Sequence, residues 1–152
     1  MNIPIHRFVT VFLGVISIFS TLSLPGSSNA SGEQLEKAAR LLRNRQSQEA
    51  MSAALAAPSG GERSMIAGVA AFKSGRYEDA LPLLADAERN YPLLADYAAA
   101  YRADALFRLK RYNDAIAVAV SPLIKGSSSR LVLTRMEKLH ADALFEAGDI
   151  RA

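Results

Sequence analysis

Three aspartates, Asp96, Asp104 and Asp142, and five tyrosines, Tyr77, Tyr91, Tyr97, Tyr101 and Tyr112, are the residues of this chain best suited to chemistry or ligand contact. A pair of carboxylates across a cleft is what glycan cleavage needs. Asp104 and Asp142, however, stand in two copies of one motif, Ala103-Asp104-Ala105-Leu106-Phe107 and Ala141-Asp142-Ala143-Leu144-Phe145. Equivalent positions of a repeat normally face solvent or cap helices, so no catalytic residue is assigned. Of the two histidines, His6 lies in the leader and His140 has Met136 and Leu144 at i±4, not a second metal ligand. Gly60-Gly61 lacks the lysine of a phosphate loop, and Ser127-Ser128-Ser129 has no histidine to activate it. With no cysteine in the chain, disulfides, thiolate metal sites and cysteine nucleophiles are excluded. The expectation is no metal and no cofactor.

The tyrosines allow two readings. They could line a concave groove for peptide or glycan, or fill gaps between helices. Gap filling is the better reading of Tyr77 and Tyr112. Tyr97 and Tyr101, one helical turn apart, could face a groove or the next helix pair, and their spacing leaves both open.

The elements that carry these residues are helical. Leu35, Ala38, Ala39 and Leu42 recur at i, i+3, i+4, i+7, opposite Arg40, Arg43 and Arg45, which predicts a helix from Glu33. Further helices are expected at 48–57, 62–74, 77–90, 93–109, 112–124 and 130–147. Breakers separate them: Pro58-Ser59-Gly60-Gly61, Gly75, Tyr91-Pro92 and the loop Gly126-Ser127-Ser128-Ser129. No stretch alternates as a half-buried strand would, so the expected class is all-α. Alanine runs such as Ala98-Ala99-Ala100 favour helix and let helices approach closely.

Composition adds limits. The chain is 152 residues long, 50% hydrophobic and 22% charged, with a formal charge of +3. Without Arg7 in the leader, 17 basic residues face 15 acidic ones. They are scattered and interleaved with acids, which is a solvated surface and not a nucleic-acid stripe.

Residues 1–30 read as a signal peptide. His6 and Arg7 begin it, the 17-residue apolar stretch Phe8–Leu24 follows, and Pro25-Gly26 breaks it. Ser28-Asn29-Ala30 places small residues at −3 and −1, so cleavage is expected between Ala30 and Ser31. The stretch is shorter than the roughly 20 residues a membrane-spanning helix needs, which leaves an uncleaved inner-membrane anchor as the lesser alternative. The expected location is beyond the cytoplasmic membrane, in the periplasm, with no membrane contact after cleavage.

Repetition is the most informative pattern. Arg76-Tyr77-Glu78-Asp79-Ala80-Leu81 recurs as Arg111-Tyr112-Asn113-Asp114-Ala115-Ile116, a shift of 35 residues, and the Ala-Asp-Ala-Leu-Phe motif recurs with a shift of 38. Both lie near the 34-residue period of tetratricopeptide repeats. Gly68, Ala80, Leu84, Ala87 and Pro92 fall where that repeat places its small, apolar and terminating residues. The expected architecture is a short right-handed α-solenoid of tetratricopeptide-like hairpins. It has a degenerate first hairpin and linker over 31–61 and repeats over 62–152, with the last unit incomplete, as in the front part of a longer protein.

The string Tyr91-Pro92-Leu93-Leu94-Ala95-Asp96-Tyr97-Ala98, with Tyr101, Ala103-Asp104-Ala105-Leu106 and Arg111-Tyr112-Asn113-Asp114-Ala115, resembles the N-terminal superhelical region of soluble lytic murein transglycosylases. The likeness covers about residues 62–152. It implies an exported α-superhelix belonging to an enzyme of peptidoglycan turnover whose lysozyme-like domain lies further on. That family's catalytic glutamate sits in a Glu-Ser motif, and no Glu-Ser pair occurs in this sequence. The implied role is therefore the non-catalytic portion, with peptidoglycan as partner. A free-standing tetratricopeptide adaptor that binds an envelope protein is the alternative.

Overall fold

The computed structural model describes residues 28–148. Those residues form eight α-helices and no strand: α1 Ser28–Arg43, α2 Ser47–Leu55, α3 Gly61–Lys73, α4 Tyr77–Asn90, α5 Ala95–Arg108, α6 Tyr112–Ala119, α7 Pro122–Lys125 and α8 Arg130–Glu146. A single 3₁₀ turn, Pro92–Leu94, leads into α5. The all-α class is thus observed. Residues 1–27 of the expected signal peptide lie outside the described residues. Ala30 and Ser31 fall in the first turn of α1, which begins five residues ahead of the expected Glu33.

Three hairpins, α1–α2, α3–α4 and α5–α6, share one turn. Each first helix ends on a residue with positive φ: 64° at Arg45, 77° at Gly75 and 60° at Lys110. The next residue, Gln46, Arg76 or Arg111, has φ of −87° and opens the second helix. Its amide reaches back to Leu41, Ala71 or Leu106 at 3.0, 3.0 and 2.9 Å, closing the six-to-one bond of a Schellman cap. Gly148 repeats the positive φ, at 80°, after α8. Glycine adopts this conformation without strain, but Arg45 and Lys110 do so at a cost.

Consecutive helices pack on each other from α1 to α6, α8 packs on α5, α6 and α7, and the first helices of successive hairpins also touch: α1 with α3 and α3 with α5. The apolar interior is divided accordingly. One cluster joins Ala38, Ala54, Ile66 and Ala67 across α1, α2 and α3. A second centres on Met65, Leu84, Leu94 and Tyr101, and a third on Leu106, Ile124, Met136 and Leu139. Leu83 borders the first two clusters, and Tyr97 borders the second and third. Helices α3 and α5 are the most enclosed, and α5 is rich in alanine. Helix α5 buries Ala98, Ala99, Ala100 and Ala103, and alanine there lets neighbours approach its backbone.

Two expected elements are corrected. The helix expected over 112–124 is two, α6 and α7, because Ser121 leaves the helical conformation ahead of Pro122, which opens α7 as its first residue. Ser121 takes an extended conformation before it, and its hydroxyl accepts from the Ile124 amide at 3.5 Å. The helix expected from 93 begins at Ala95 after the 3₁₀ turn set by Pro92. Pro82 sits inside α4, and the carbonyl of Glu78 that it leaves without an amide partner belongs to an exposed residue.

Candidate functional site

The repeated turn fixes two of the tyrosines. Tyr77 and Tyr112 are the first residues of α4 and α6, five positions after Phe72 and Phe107. The turn folds each ring back on its phenylalanine, at centroid distances of 5.5 and 5.4 Å. Both tyrosines are half-buried in this position. The Tyr112 hydroxyl lies 3.5 Å from a Glu146 carboxylate oxygen, linking the start of α6 to the end of α8.

Tyr97 and Tyr101 lie between hairpins. Tyr101 is 7% exposed, with the Phe72 ring tilted against its own at a centroid distance of 5.3 Å and the Arg135 guanidinium over its ring at 4.8 Å from the centroid. Burial pushes the Tyr101 hydroxyl above its usual range, and the positive charge of Arg135 acts against that shift. Arg135 also forms an ion pair with Asp104. Helices α3, α5 and α8 thus meet through four side chains, an aromatic pair, a cation over a ring and its counter-charge. The Tyr97 hydroxyl shares a hydrogen bond of 2.9 Å with the Ser129 hydroxyl.

Ser127, Ser128 and Ser129 remain a loop. Ser127 donates to the Asp96 carboxylate, the Ser129 amide donates to Ser127 Oγ at 3.0 Å, and Ser129 Oγ accepts from the Val132 amide to cap α8. The aspartates therefore have separate partners. Asp96 takes Ser127, Asp104 takes Arg135, and Asp142 takes Lys138 at 2.8 Å. His140 is half-buried in α8.

One cluster gave no signal in the sequence. Gly61 opens α3 directly beneath the end of α4, where a Cβ would overlap the Asn90 carbonyl and come within 2.8 Å of Tyr91 Cβ. The close approach half-buries Glu62 and Tyr91. Burial raises the Glu62 carboxyl, and burial together with Glu62 raises the Tyr91 hydroxyl. Ser64, only 5% exposed, donates to Asp86 at 2.5 Å, and Asn90 donates to the same carboxylate at 2.7 Å. The Ser64 bond holds Asp86 below its ordinary value, with burial opposing it. No spacing rule joins residues 22 apart on two helices, which explains why sequence reasoning missed this cluster.

Among the described residues no group of three histidines or acids is placed to hold a metal ion, and no helix is long and apolar enough to cross a membrane. An open depression of about 470 Å³ lies between the start of α6 and the end of α8, lined by Lys110, Arg111, Tyr112, Asn113, Asp114, Glu146 and Ala147. Its lining mixes charges of both signs, which suits a polar surface contact better than an enclosed reaction. No family model matches the chain, and neither a curated protein nor a solved structure matches it.

Proposed function

We propose that this chain is an exported, non-catalytic helical-repeat module of the cell envelope. In this reading it is a short right-handed α-solenoid of tetratricopeptide-like hairpins, similar to the N-terminal superhelix of lytic transglycosylases and serving peptidoglycan turnover. The observation that carries the reading is the turn shared by Arg45, Gly75 and Lys110. Three hairpins of one geometry with first helices in mutual contact are what a stacked repeat requires. The leader, with its Ala30–Ser31 cleavage point, supports periplasmic export, and the Tyr91–Ala98 string supports the link to the cell wall.

The test is fractionation of the producing cell, N-terminal sequencing of the recovered protein, and co-sedimentation with purified peptidoglycan sacculi. A periplasmic protein starting at Ser31 that pellets with sacculi is the expected result. Retention in the cytoplasm would sink the export reading. Export without co-sedimentation would sink the peptidoglycan link and favour an adaptor for another envelope protein.

A further inference from the structure

The sequence scatters its basic residues, and the fold gathers five of them on one edge. Helices α1, α3 and α5 end on Arg43, Lys73 and Arg108, the same position of three hairpins. The positive-φ residues after α1 and α5 are Arg45 and Lys110. Each hairpin returns the chain, α1 touches α3 and α3 touches α5, so the three turns lie side by side on one rim. Helices in direct contact run about 8–10 Å apart, which sets the step from the cations of one turn to those of the next. Arg45 and Lys73 are near enough to repel. Desolvation lowers the Lys73 ammonium, and the charges of Arg135 and Arg45 push it the same way.

All five side chains are exposed, and none has an ion pair among the described residues. The neighbouring Arg76 and Arg111 differ, since each is held by an aspartate, Asp79 or Asp114, at 2.7 Å. Of the nearby acids, Glu49 and Glu78 stand without an ion pair and Glu146 accepts from Tyr112, which leaves positive charge in excess. Cations in the last turn of a helix complement its dipole, and that accounts for Arg43, Lys73 and Arg108. It does not account for Arg45 and Lys110. Both hold a positive φ at a cost that glycine, present at position 75, avoids. A local rule broken against the stability of the fold marks a position kept for another purpose. What the two positions share is an exposed positive charge on this rim.

We infer that the rim binds the carboxylates of peptidoglycan stem peptides, through Arg43 and Arg45 on the first turn, Lys73 on the second, and Arg108 and Lys110 on the third. The inference rests on the cell-wall role proposed above and gives that role a surface. Stem peptides carry free carboxylates and hang at intervals from a glycan strand, so a row of cations at a regular step can hold several together. The guanidinium groups can take a carboxylate through two parallel N–H bonds, whereas the ammonium groups act as point charges. Each exposed contact is weak alone, and contacts along one strand reinforce each other.

Co-sedimentation of the protein, purified from the producing cell, tests the inference with native sacculi and with sacculi whose carboxyl groups have been amidated. Amidation is expected to weaken binding by about tenfold or more, and Arg43→Gln/Lys73→Gln/Arg108→Gln to do the same. Arg45→Gly/Lys110→Gly is expected to bind about fivefold more weakly while melting no lower than wild type, which separates lost binding from lost folding. Lys125→Gln/Arg130→Gln removes two exposed cations beyond the far end of α6 and should bind as wild type does. Equal binding to amidated sacculi overturns the inference. So do rim variants that bind like wild type, or a Lys125/Arg130 variant that loses as much as the glycine pair. In each of those cases the protein still binds sacculi and the cell-wall reading stands. A wild-type protein that stays in solution overturns that reading, and this inference with it.

Discussion

Gly68 of α3 lies so close to Leu84 of α4 that a Cβ on the glycine would stand 2.9 Å from both Leu84 Cγ and Cδ2. Leu84 is fully buried at the centre of the second cluster, so it has no free space to move into. Gly68→Ala is expected to destabilise the fold by about 1–3 kcal/mol, as overpacking does. Gly61→Ala, which meets the Asn90 backbone, should cost at least as much, since a carbonyl yields less than a side chain. Leu84→Ala leaves a void instead and should cost about 2–5 kcal/mol. Urea unfolding of the three variants checks the set, and a Gly68→Ala protein as stable as wild type would refute the close packing.

The turns give a prediction of opposite sign. Arg45 and Lys110 hold the positive φ that glycine holds at position 75. Arg45→Gly and Lys110→Gly are expected to stabilise by about 0.5–1 kcal/mol each, whereas Gly75→Ala should destabilise by a similar amount. Thermal melts of the three variants decide the matter, and a loss of stability in both glycine variants would contradict the shared turn.

The junction of Tyr101, Arg135 and Asp104 predicts a non-additive pair. Arg135→Ala removes the cation over Tyr101 and leaves Asp104 partly buried without its partner, at a cost of about 1–3 kcal/mol. Asp104→Ala should cost less when Arg135 is already gone than in the wild type. A double-mutant cycle measures that coupling, and additive losses would mean that the two side chains do not act together.

Two carboxyls predict opposite pH dependences. The Asp86 carboxyl is held below its ordinary 3.8, chiefly by Ser64. Its contribution is therefore complete above the unfolded value and lost as pH falls through the folded one. Ser64→Ala should be less stable than wild type near neutrality, and the difference should shrink as the pH falls below 3.8. Glu62 is raised above its ordinary 4.5 by burial, so its ionisation opposes folding as pH rises through that region. Glu62→Gln is expected to gain stability at neutral pH and little at pH 3. Chemical denaturation at several pH values tests both signs.

Much of the fold was legible because local chemistry specified it. Helix α4 runs over 77–90 as expected, since Gly75 and Tyr91-Pro92 bracket it. The break within 112–124 was legible in principle, as Ser121-Pro122 is a cap followed by a first-turn proline, but the apolar spacing runs through it unbroken. The positive φ of Arg45 and Lys110 left no mark in residue type. The tyrosine placements needed the hairpins first, because Tyr101 meets Arg135 34 positions away on another helix. The Glu62–Tyr91 and Ser64–Asp86 contacts were hidden for the same reason. They depend on how closely Gly61 lets two helix ends approach, which no periodicity encodes.

The bonds from Ser127 to Asp96 and from Tyr97 to Ser129 have a consequence for how the molecule meets a protease. Residues 126–129, with one glycine and three serines between helices, have the composition at which nicking normally concentrates. Cleavage requires a segment to open locally and extend into the enzyme's cleft. Here opening means breaking two ties to the start of α5 and the cap of α8 together. Protection should therefore end when those ties are cut. Asp96→Ala/Tyr97→Phe is expected to make the serine loop an early cleavage point, while wild type is cut first elsewhere. The stretch that looks most like a flexible connector behaves as a strut.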